Sequence, residues 1–272
     1  MADTSDSADS TKKELAKAIY NDLVHPAAQS TGELVALVPR AVKVALQPLE
    51  KWILQGEYNL AQTQKLLDEK LKNVDPKNIC SPEAHIAVPT LQYISYCMDN
   101  EELRDMYANL LANSMNKVVK NGVHPAFVEI IRQLCPDEAK ILKLMKAREY
   151  TPVISVRVED TDNNGIDLLR NFSDLVIRAK CENVAAFSQY FDNLIRLGIV
   201  GKGEKGTQIT DESEYQKLIN NPFISEVKRL ISNTAEKKYT PRIEKSYLYI
   251  TNFGRAFCDI CIDTSDEKVK EQ

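Results

Sequence analysis

The cysteines of Cys258-Asp-Ile-Cys261 are separated by two residues, which is the spacing of many zinc-binding pairs. A structural zinc site needs four ligands, and the chain has neither a second pair at this spacing nor two histidines close together. Buried thiols on an apolar helix face fit the pattern better, because Phe253, Phe257 and Ile260 recur around them at helical spacing. We therefore expect no metal ion and no other cofactor.

A general acid or base could be formed by His124 together with Glu129, five residues further on. His124 precedes Pro125, however, and an imidazole at such a helix start commonly caps backbone groups instead. The chain also lacks a nucleophile elbow, a P-loop, a dinucleotide fingerprint and a metalloprotease helix. No catalytic residue is assigned, and a non-enzymatic role is favoured over an enzyme with no recognisable motif.

Phosphate groups could be bound at two places in the second half of the chain. The glycine-rich run Gly201–Gly206 follows a predicted helix and begins none, so it indicates a flexible wing tip rather than a phosphate cradle. A local excess of positive charge is formed by Lys228, Arg229, Lys237, Lys238, Arg242 and Lys245. A solvated helix face explains this set most simply, and phosphate contacts are the alternative. Any nucleic-acid binding here should be weak, sequence-blind and electrostatic.

The overall charge argues against a dedicated nucleic-acid-binding domain. Of the 272 residues, positions 1–150 contain 18 Lys and Arg against 20 Asp and Glu, and positions 151–272 contain 17 against 19, so each half carries a charge of −2. The six cysteines have no apolar signal segment ahead of them, and no apolar run is long enough for a transmembrane helix. These features indicate a reduced, cytoplasmic protein.

The first half of the chain reads as helices throughout. Residues 1–10 are polar and are expected to be a disordered tail, and residues 11–136 are expected to form an all-helical region. Its centre is residues 99–146, where three short amphipathic helices follow one another, the first with Asp99 as the expected N-cap.

The amphipathic segment 33–54 has two interpretations. Its apolar stripe consists of Leu34, Val38, Ala41, Val42, Ala45, Leu49, Trp52 and Ile53. A core helix is the simpler interpretation. The alternative is a helix that lies on a membrane, because Arg40 and Lys43 would be tolerated at a bilayer interface.

Beyond residue 137 the pattern becomes mixed. Residues 152–158 alternate as a strand, helices are predicted near 174–180 and 183–197, and strands near 199 and 247 lead into a last helix. This is the order of a winged helix. The predicted fold class is therefore mainly α, with an N-terminal multi-helix region followed by a winged-helix-like α+β region over 137–264. That region contains a helical insertion at about 211–240 and is followed by a tail at 265–272.

The run from Pro89 through Asp99-Asn-Glu-Glu-Leu-Arg-Asp-Met-Tyr-Ala-Asn-Leu-Leu-Ala-Asn to Val123-His-Pro-Ala-Phe-Val-Glu-Ile-Ile and Leu134-Cys-Pro-Asp-Glu-Ala resembles the abortive-infection alpha (Abi-alpha) domain. The resemblance covers residues 35–150 best and extends more loosely to about 262. It implies a role in bacterial defence against phage and supplies no catalytic motif.

Together these observations predict a phage-defence factor that acts without catalysis, through contacts with protein or nucleic acid. The alternatives are a membrane-associating effector that uses segment 33–54 and an enzyme without a known motif. A protein partner or self-association is expected, weak nucleic-acid binding or a peripheral membrane contact is an alternative, and no small-molecule substrate is evident.

Overall fold

The computed structural model of the protein describes residues 33–46, 60–159, 164–204, 206–234 and 240–262. Several predictions therefore lie outside the described residues. They are the tails at 1–10 and 265–272, the first part of the all-helical region at 11–32, and the part of the amphipathic segment from residue 47 to residue 54.

The N-terminal region consists of helices joined by short turns. They are α1 (Glu33–Leu46), α2 (Leu60–Leu71), α3 (Ala84–Tyr96), α4 (Glu101–Ser114), α5 (Ala126–Arg132) and α6 (Pro136–Lys146). The predicted cap of α4 was wrong by one residue, because the side chain of Asn100, not Asp99, accepts the N–H of Leu103 at 3.0 Å. Pro125 and Pro136 stand at the starts of α5 and α6, where a missing N–H costs nothing.

A four-stranded antiparallel sheet follows, with strand order β2-β1-β4-β3. The elements in chain order are β1 (Thr151–Glu159), β2 (Gly165–Phe172), α7 (Leu175–Arg178), α8 (Phe187–Arg196), β3 (Val200–Lys202), α9 (Glu212–Ile219), α10 (Pro222–Thr234), β4 (Thr240–Ile250) and α11 (Asn252–Cys261). Helices α9 and α10 lie within the range 211–240 that was predicted to be helical, and β4 begins at Thr240.

Strand β2 was not predicted. Its register with β1 shifts twice, between Ile154 and Val156 and again between Val156 and Arg157, and Asn171 has a φ of 54°. These irregularities break the strict alternation that a sequence pattern relies on. Ile166 and Leu168 are also exposed, so the strand has no continuous apolar face.

The sheet is covered by helices on both faces, because residues of both faces are buried. Val153 and Leu248 belong to one face and Ile154 and Val156 to the other, and all four are fully buried. Helix α9 contacts β1, and the Tyr215 hydroxyl donates to the carbonyl of Ser246 on β4 at 2.9 Å. The main core is continuous from Ile86 to Ile262 and therefore includes residues from both predicted regions.

A second, smaller core holds α1 against α2, α3 and the end of α4. It contains Val42, Ala45, Leu46, Leu67, Leu71, Ile79, Ala87, Leu91, Leu111, Ala112 and Met115. The part of the apolar stripe that the structure describes in segment 33–54 thus faces a protein core, as the simpler interpretation expected. Within the described residues, no helix combines the length and the apolar character needed to cross a bilayer.

Candidate functional surfaces

Two adjacent carboxylates are buried at the start of α6. Asp137 is 6% exposed and Glu138 is 4% exposed. Asp137 accepts four hydrogen bonds, from the backbone N–H groups of Glu182 (3.0 Å) and Asn183 (3.2 Å), the hydroxyl of Tyr190 (2.8 Å) and the ammonium of Lys140 (3.3 Å). Glu138 accepts the backbone N–H of Cys135 at 2.8 Å and the amide of Asn193 at 2.9 Å.

These bonds determine how the two carboxyl groups titrate. Burial opposes ionisation of Asp137, but its hydrogen bonds outweigh burial and hold its pKa below the usual range. Burial prevails at Glu138 and raises its pKa. Burial and the bond to Asp137 also raise the pKa of Tyr190. Both carboxylates are engaged by the protein itself, so the cluster joins α6 to residues 181–193 rather than facing a substrate.

The residues first considered for catalysis and metal binding lie in structural positions. His124 Nδ1 accepts the backbone N–H of Ala126 at 3.1 Å, which is the capping role expected of it. Glu129 is paired with Arg132 at 2.8 Å. Cys258 and Cys261 are buried on α11, where burial raises the pKa of Cys258 to about 12. Nowhere in the described ranges do three or more metal-binding side chains come together.

The predicted phosphate-binding set is spread over α10 and β4. Arg229 pairs with Glu226 at 2.6 Å, Arg242 with Glu159 at 3.4 Å, and Lys245 with Glu212. Lys245 also lies over the ring of Tyr215, 5.7 Å from its centroid. Lys228 lies on α10 and is half-buried, whereas Lys237 and Lys238 fall outside the described residues. Arg229, Arg242 and Lys245 therefore already have carboxylate partners.

A polar cleft of about 240 Å³ lies between α2, α4 and the end of α11. Its polar groups mainly cap the C-terminus of α11, whose last carbonyl groups lack partners within the helix. Lys146 Nζ donates to the carbonyls of Cys258 (2.9 Å) and Ile262 (3.0 Å), Asn109 donates to Cys261 (3.1 Å), and Asn113 donates to Ile260 (2.7 Å). The positive charge of Lys146 suits this negative end of the helix dipole.

Three tyrosines, of which two are exposed and Tyr247 is half-buried, form a strip beside the edge strand β3. Tyr150 and Tyr247 meet edge to face, 5.1 Å between centroids, and Tyr249 follows at 6.2 Å. Tyr150 is 45% exposed and Tyr249 is 37% exposed. We call Tyr150, Tyr247 and Tyr249 the tyrosine strip. Aromatic residues with one exposed edge are frequent at protein interfaces, because they offer a large contact area and a hydroxyl group.

Gly201 in β3 and Gly203 just after it leave the space that the rings of this strip occupy. A Cβ atom at Gly201 would lie 2.5 Å from Cζ of Tyr249, and one at Gly203 would lie 2.6 Å from Cε1 of Tyr247. This glycine run was predicted only as a wing tip, and the strip was not predicted. The signal was nevertheless present, since two glycines two residues apart match two tyrosines two residues apart on the partner strand.

Comparison with known proteins gives one informative match. The model of the Abortive infection alpha family matches residues 55–261. No curated protein matches the chain. Among solved structures, the chain is similar to an uncharacterized protein from the hydrocarbon-degrading marine bacterium Alcanivorax borkumensis SK2, with 15% identity, a TM-score of 0.35, and coverage of 49% of this chain and 90% of the other. Since the family match covers most of the residues, this protein belongs to the Abortive infection alpha family.

Proposed function

We propose that this protein is a phage-defence factor of the abortive-infection type that acts by binding another macromolecule in the cytoplasm, without catalysis of its own. The observation that carries the proposal is the family match over residues 55–261. It extends over both the helical region and the sheet, so the defence role is assigned to the two together.

We propose that the protein does not catalyse a reaction because its candidate acid and base groups are engaged in internal hydrogen bonds. Asp137 and Glu138 are bound by backbone and side-chain donors, and His124 caps a helix. A general acid or base must reach the proton of a bound substrate, and these groups are already committed to internal bonds.

We further propose that residues 137–264 form a winged-helix-like module. Its support is the order α6, β1, α7, α8, β3, β4, together with the position of β4 between β1 and β3 in the sheet. Strand β2 would be an addition at the sheet edge, and α9 and α10 an insertion between the wing strands.

Protein is the partner we favour for this module. Three side chains of α8 are suited to contacting bases, Gln189, Asn193 and Arg196, and the last two are held by internal bonds. Asn193 donates to the carbonyl of Gln133 at 2.9 Å, and Arg196 donates to the side chain of Gln133 at 3.1 Å. The tyrosine strip, by contrast, is exposed and carries no net charge, which suits a protein surface better than phosphate.

Phage challenge of bacteria that express the protein tests both parts of the proposal. We expect the wild-type chain to reduce plating efficiency for some phages in a panel, and the double variant Tyr150→Ala, Tyr249→Ala to lose this protection at unchanged expression. Tyr96→Ala is the matched control, because Tyr96 is 76% exposed on α3 and lies outside the strip.

Three outcomes distinguish the defence role from the role of the tyrosine strip as the contact surface. Full protection by the double variant would refute the strip as the contact surface while leaving the defence role intact. Equal loss with Tyr96→Ala would show that the effect is not specific to the strip. A wild-type chain that protects against none of the phages, although it is expressed and folded, would count against the defence role itself.

A further inference from the structure

The turn after α4 exposes two valines between two lysines. In Lys117-Val118-Val119-Lys120, Val118 is 70% exposed and Val119 is 36% exposed, whereas Met115 just before them is fully buried. The turn is held in place by backbone bonds, since the N–H of Lys117 donates to Asn78 at 2.8 Å and the N–H of Cys80 donates to Met115 at 2.8 Å. The two valines are therefore exposed on a turn whose backbone is held by hydrogen bonds.

Helix α1 and the 76–78 turn extend this surface. The ammonium of Lys117 donates to the carbonyl of Lys77 at 2.6 Å, which brings the two lysines side by side. A mainly apolar groove of about 390 Å³ then separates the 76–81 segment from the outer face of α1, and Arg40 and Val44 line it. Lys43 is exposed on the same helix. We call the whole set the basic-apolar surface: Arg40, Lys43, Val44, Lys77, Lys117, Val118, Val119 and Lys120.

The charge of this surface is not neutralised within the described part of the chain. None of its five cations forms an ion pair there, and all five are exposed. The exposed acid beside them is Asp75, which accepts the backbone N–H of Lys77 at 3.0 Å. A surface with five unpaired cations around exposed aliphatic side chains is complementary to an anionic layer with an apolar interior.

We propose that the basic-apolar surface binds the face of an anionic phospholipid bilayer. Val118 and Val119 enter the headgroup layer, and the five cations contact lipid phosphates around them. A nucleic acid would contact the cations through its phosphates but would not bury the valines. A bilayer can do both, and we therefore favour it. The inference goes beyond the proposed function, because it concerns residues 40–120 and not the sheet.

The helix α1 takes part through the face that the core leaves free. Val42 is fully buried in the small core, whereas Val44 is 43% exposed on the other side of the helix. The membrane contact inferred here is therefore peripheral. It needs no change in the fold, since the exposed residues are already on the surface.

Vesicle flotation with the full-length protein tests the inference. We expect binding to vesicles that mix phosphatidylcholine with phosphatidylglycerol, and none to phosphatidylcholine alone. Each cation near an anionic surface contributes about fivefold to partitioning, so Lys77→Gln, Lys117→Gln, Lys120→Gln should weaken binding about a hundredfold. The matched control is Arg178→Gln, Lys180→Gln, Lys217→Gln, which removes the same charge from exposed positions elsewhere and should weaken binding far less.

A second variant tests the valines separately. Val118→Ser, Val119→Ser keeps every charge and should weaken vesicle binding about tenfold, while the thermal midpoint stays unchanged because both side chains are exposed. The proposal is overturned if wild-type protein fails to float with the anionic vesicles. It is also overturned if the valine variant binds them as well as wild type, or if the control triple loses as much binding as the test triple.

Discussion

The sheet region (residues 151–262, the sheet end) and the basic-apolar surface of the helical region (the helical end) differ in whether their cations are paired with carboxylates. At the sheet end, cations that are close in sequence have carboxylate partners, as Arg229 does with Glu226 and Lys245 does with Glu212. At the helical end, the five cations of the basic-apolar surface are scattered over 80 positions of the sequence, and within the described residues none of them is paired. A charge-rich sequence segment is thus a poor guide to surface charge, which depends on what the fold places beside each cation.

The difference follows from the elements that carry the charges. Helix α10 places Glu226 three residues before Arg229, and antiparallel pairing places Arg242 beside Glu159 at the end of β1. The basic-apolar surface is built instead from a helix face and two tight turns, which bring their cations together without an ion pair to any acid among the described residues.

Val42→Asp should destroy the helical end. Val42 is fully buried in the small core, and an unpaired carboxylate at such a site shifts its pKa by about 3 to 5 units, which corresponds to roughly 4 to 7 kcal/mol. That is comparable with the whole stability of a typical domain, so circular dichroism should show loss of the folded state. Val44→Asp is the control on the exposed face of the same helix and should leave the circular dichroism spectrum and the thermal midpoint nearly unchanged. A folded, stable Val42→Asp protein would mean that α1 does not depend on the small core.

Asp137→Asn should weaken the joint between α6 and residues 181–193. The amide can replace one oxygen, but its NH2 group then faces donors, so we expect a loss of about 2 to 4 kcal/mol in the free energy of unfolding. Urea unfolding measures this loss. Asp259→Asn is the matched control, since Asp259 is exposed and 3.6 Å from Lys146, and should cost less than about 1 kcal/mol.

The same variant predicts a pH dependence. The pKa of Asp137 is lowered in the folded state, so its stabilisation is complete above its unfolded pKa of about 4 and is lost as the pH falls through the folded value. Glu138 acts in the opposite sense, because burial raises its pKa and protonation relieves that cost. Wild type should therefore lose more stability than Asp137→Asn between about pH 4 and pH 2. Parallel curves for the two proteins would show that the pKa of Asp137 is the same in the folded and unfolded states, which would contradict the lowered folded value.

The helices and the covered strands could be predicted because their patterns are local. The stripe through Met106, Tyr107, Leu110 and Leu111 has the helical period, and all four side chains are buried as expected. Strand β1 was recognised from the alternation of residues 152–158, and α9 and α10 lie within the range 211–240 that was predicted to be helical. In each case neighbours within one element carry the signal.

The two candidate surfaces were not predicted, because each is assembled from distant parts of the chain. The matching glycine and tyrosine spacings of the strip gain meaning only once β3 and β4 are known to pair. Lys77 and Lys117 are 40 positions apart and meet only because two turns bond to each other. Tyr150 joins Tyr247 across the sheet, and Gly201 is explained only once Tyr249 is known to cross it. Two of the three charge pairs of the predicted phosphate-binding set were hidden for the same reason, since Arg242 and Glu159 are 83 positions apart and Lys245 and Glu212 are 33 positions apart.

Glu212 and Glu226 should partly mask the positive charge of Lys245 and Arg229, and removing both carboxylates should have only a small effect on DNA binding. Glu212→Gln, Glu226→Gln frees Lys245 and Arg229 from their partners, and each freed cation that contacts a phosphate should add about −0.9 to the slope of log affinity against log salt for duplex DNA. The slope should therefore become steeper by roughly two, whereas Lys237→Ser, Lys238→Ser, Arg242→Ser should flatten it. Thermal midpoints should change little in both variants, because exposed ion pairs contribute about 0 to 1 kcal/mol. Affinity for DNA should stay weak and independent of sequence throughout. If the slope of the glutamine variant equals that of wild type, the two carboxylates do not mask these cations. The two regions would then differ in where their positive charges lie, and not in whether those charges are paired.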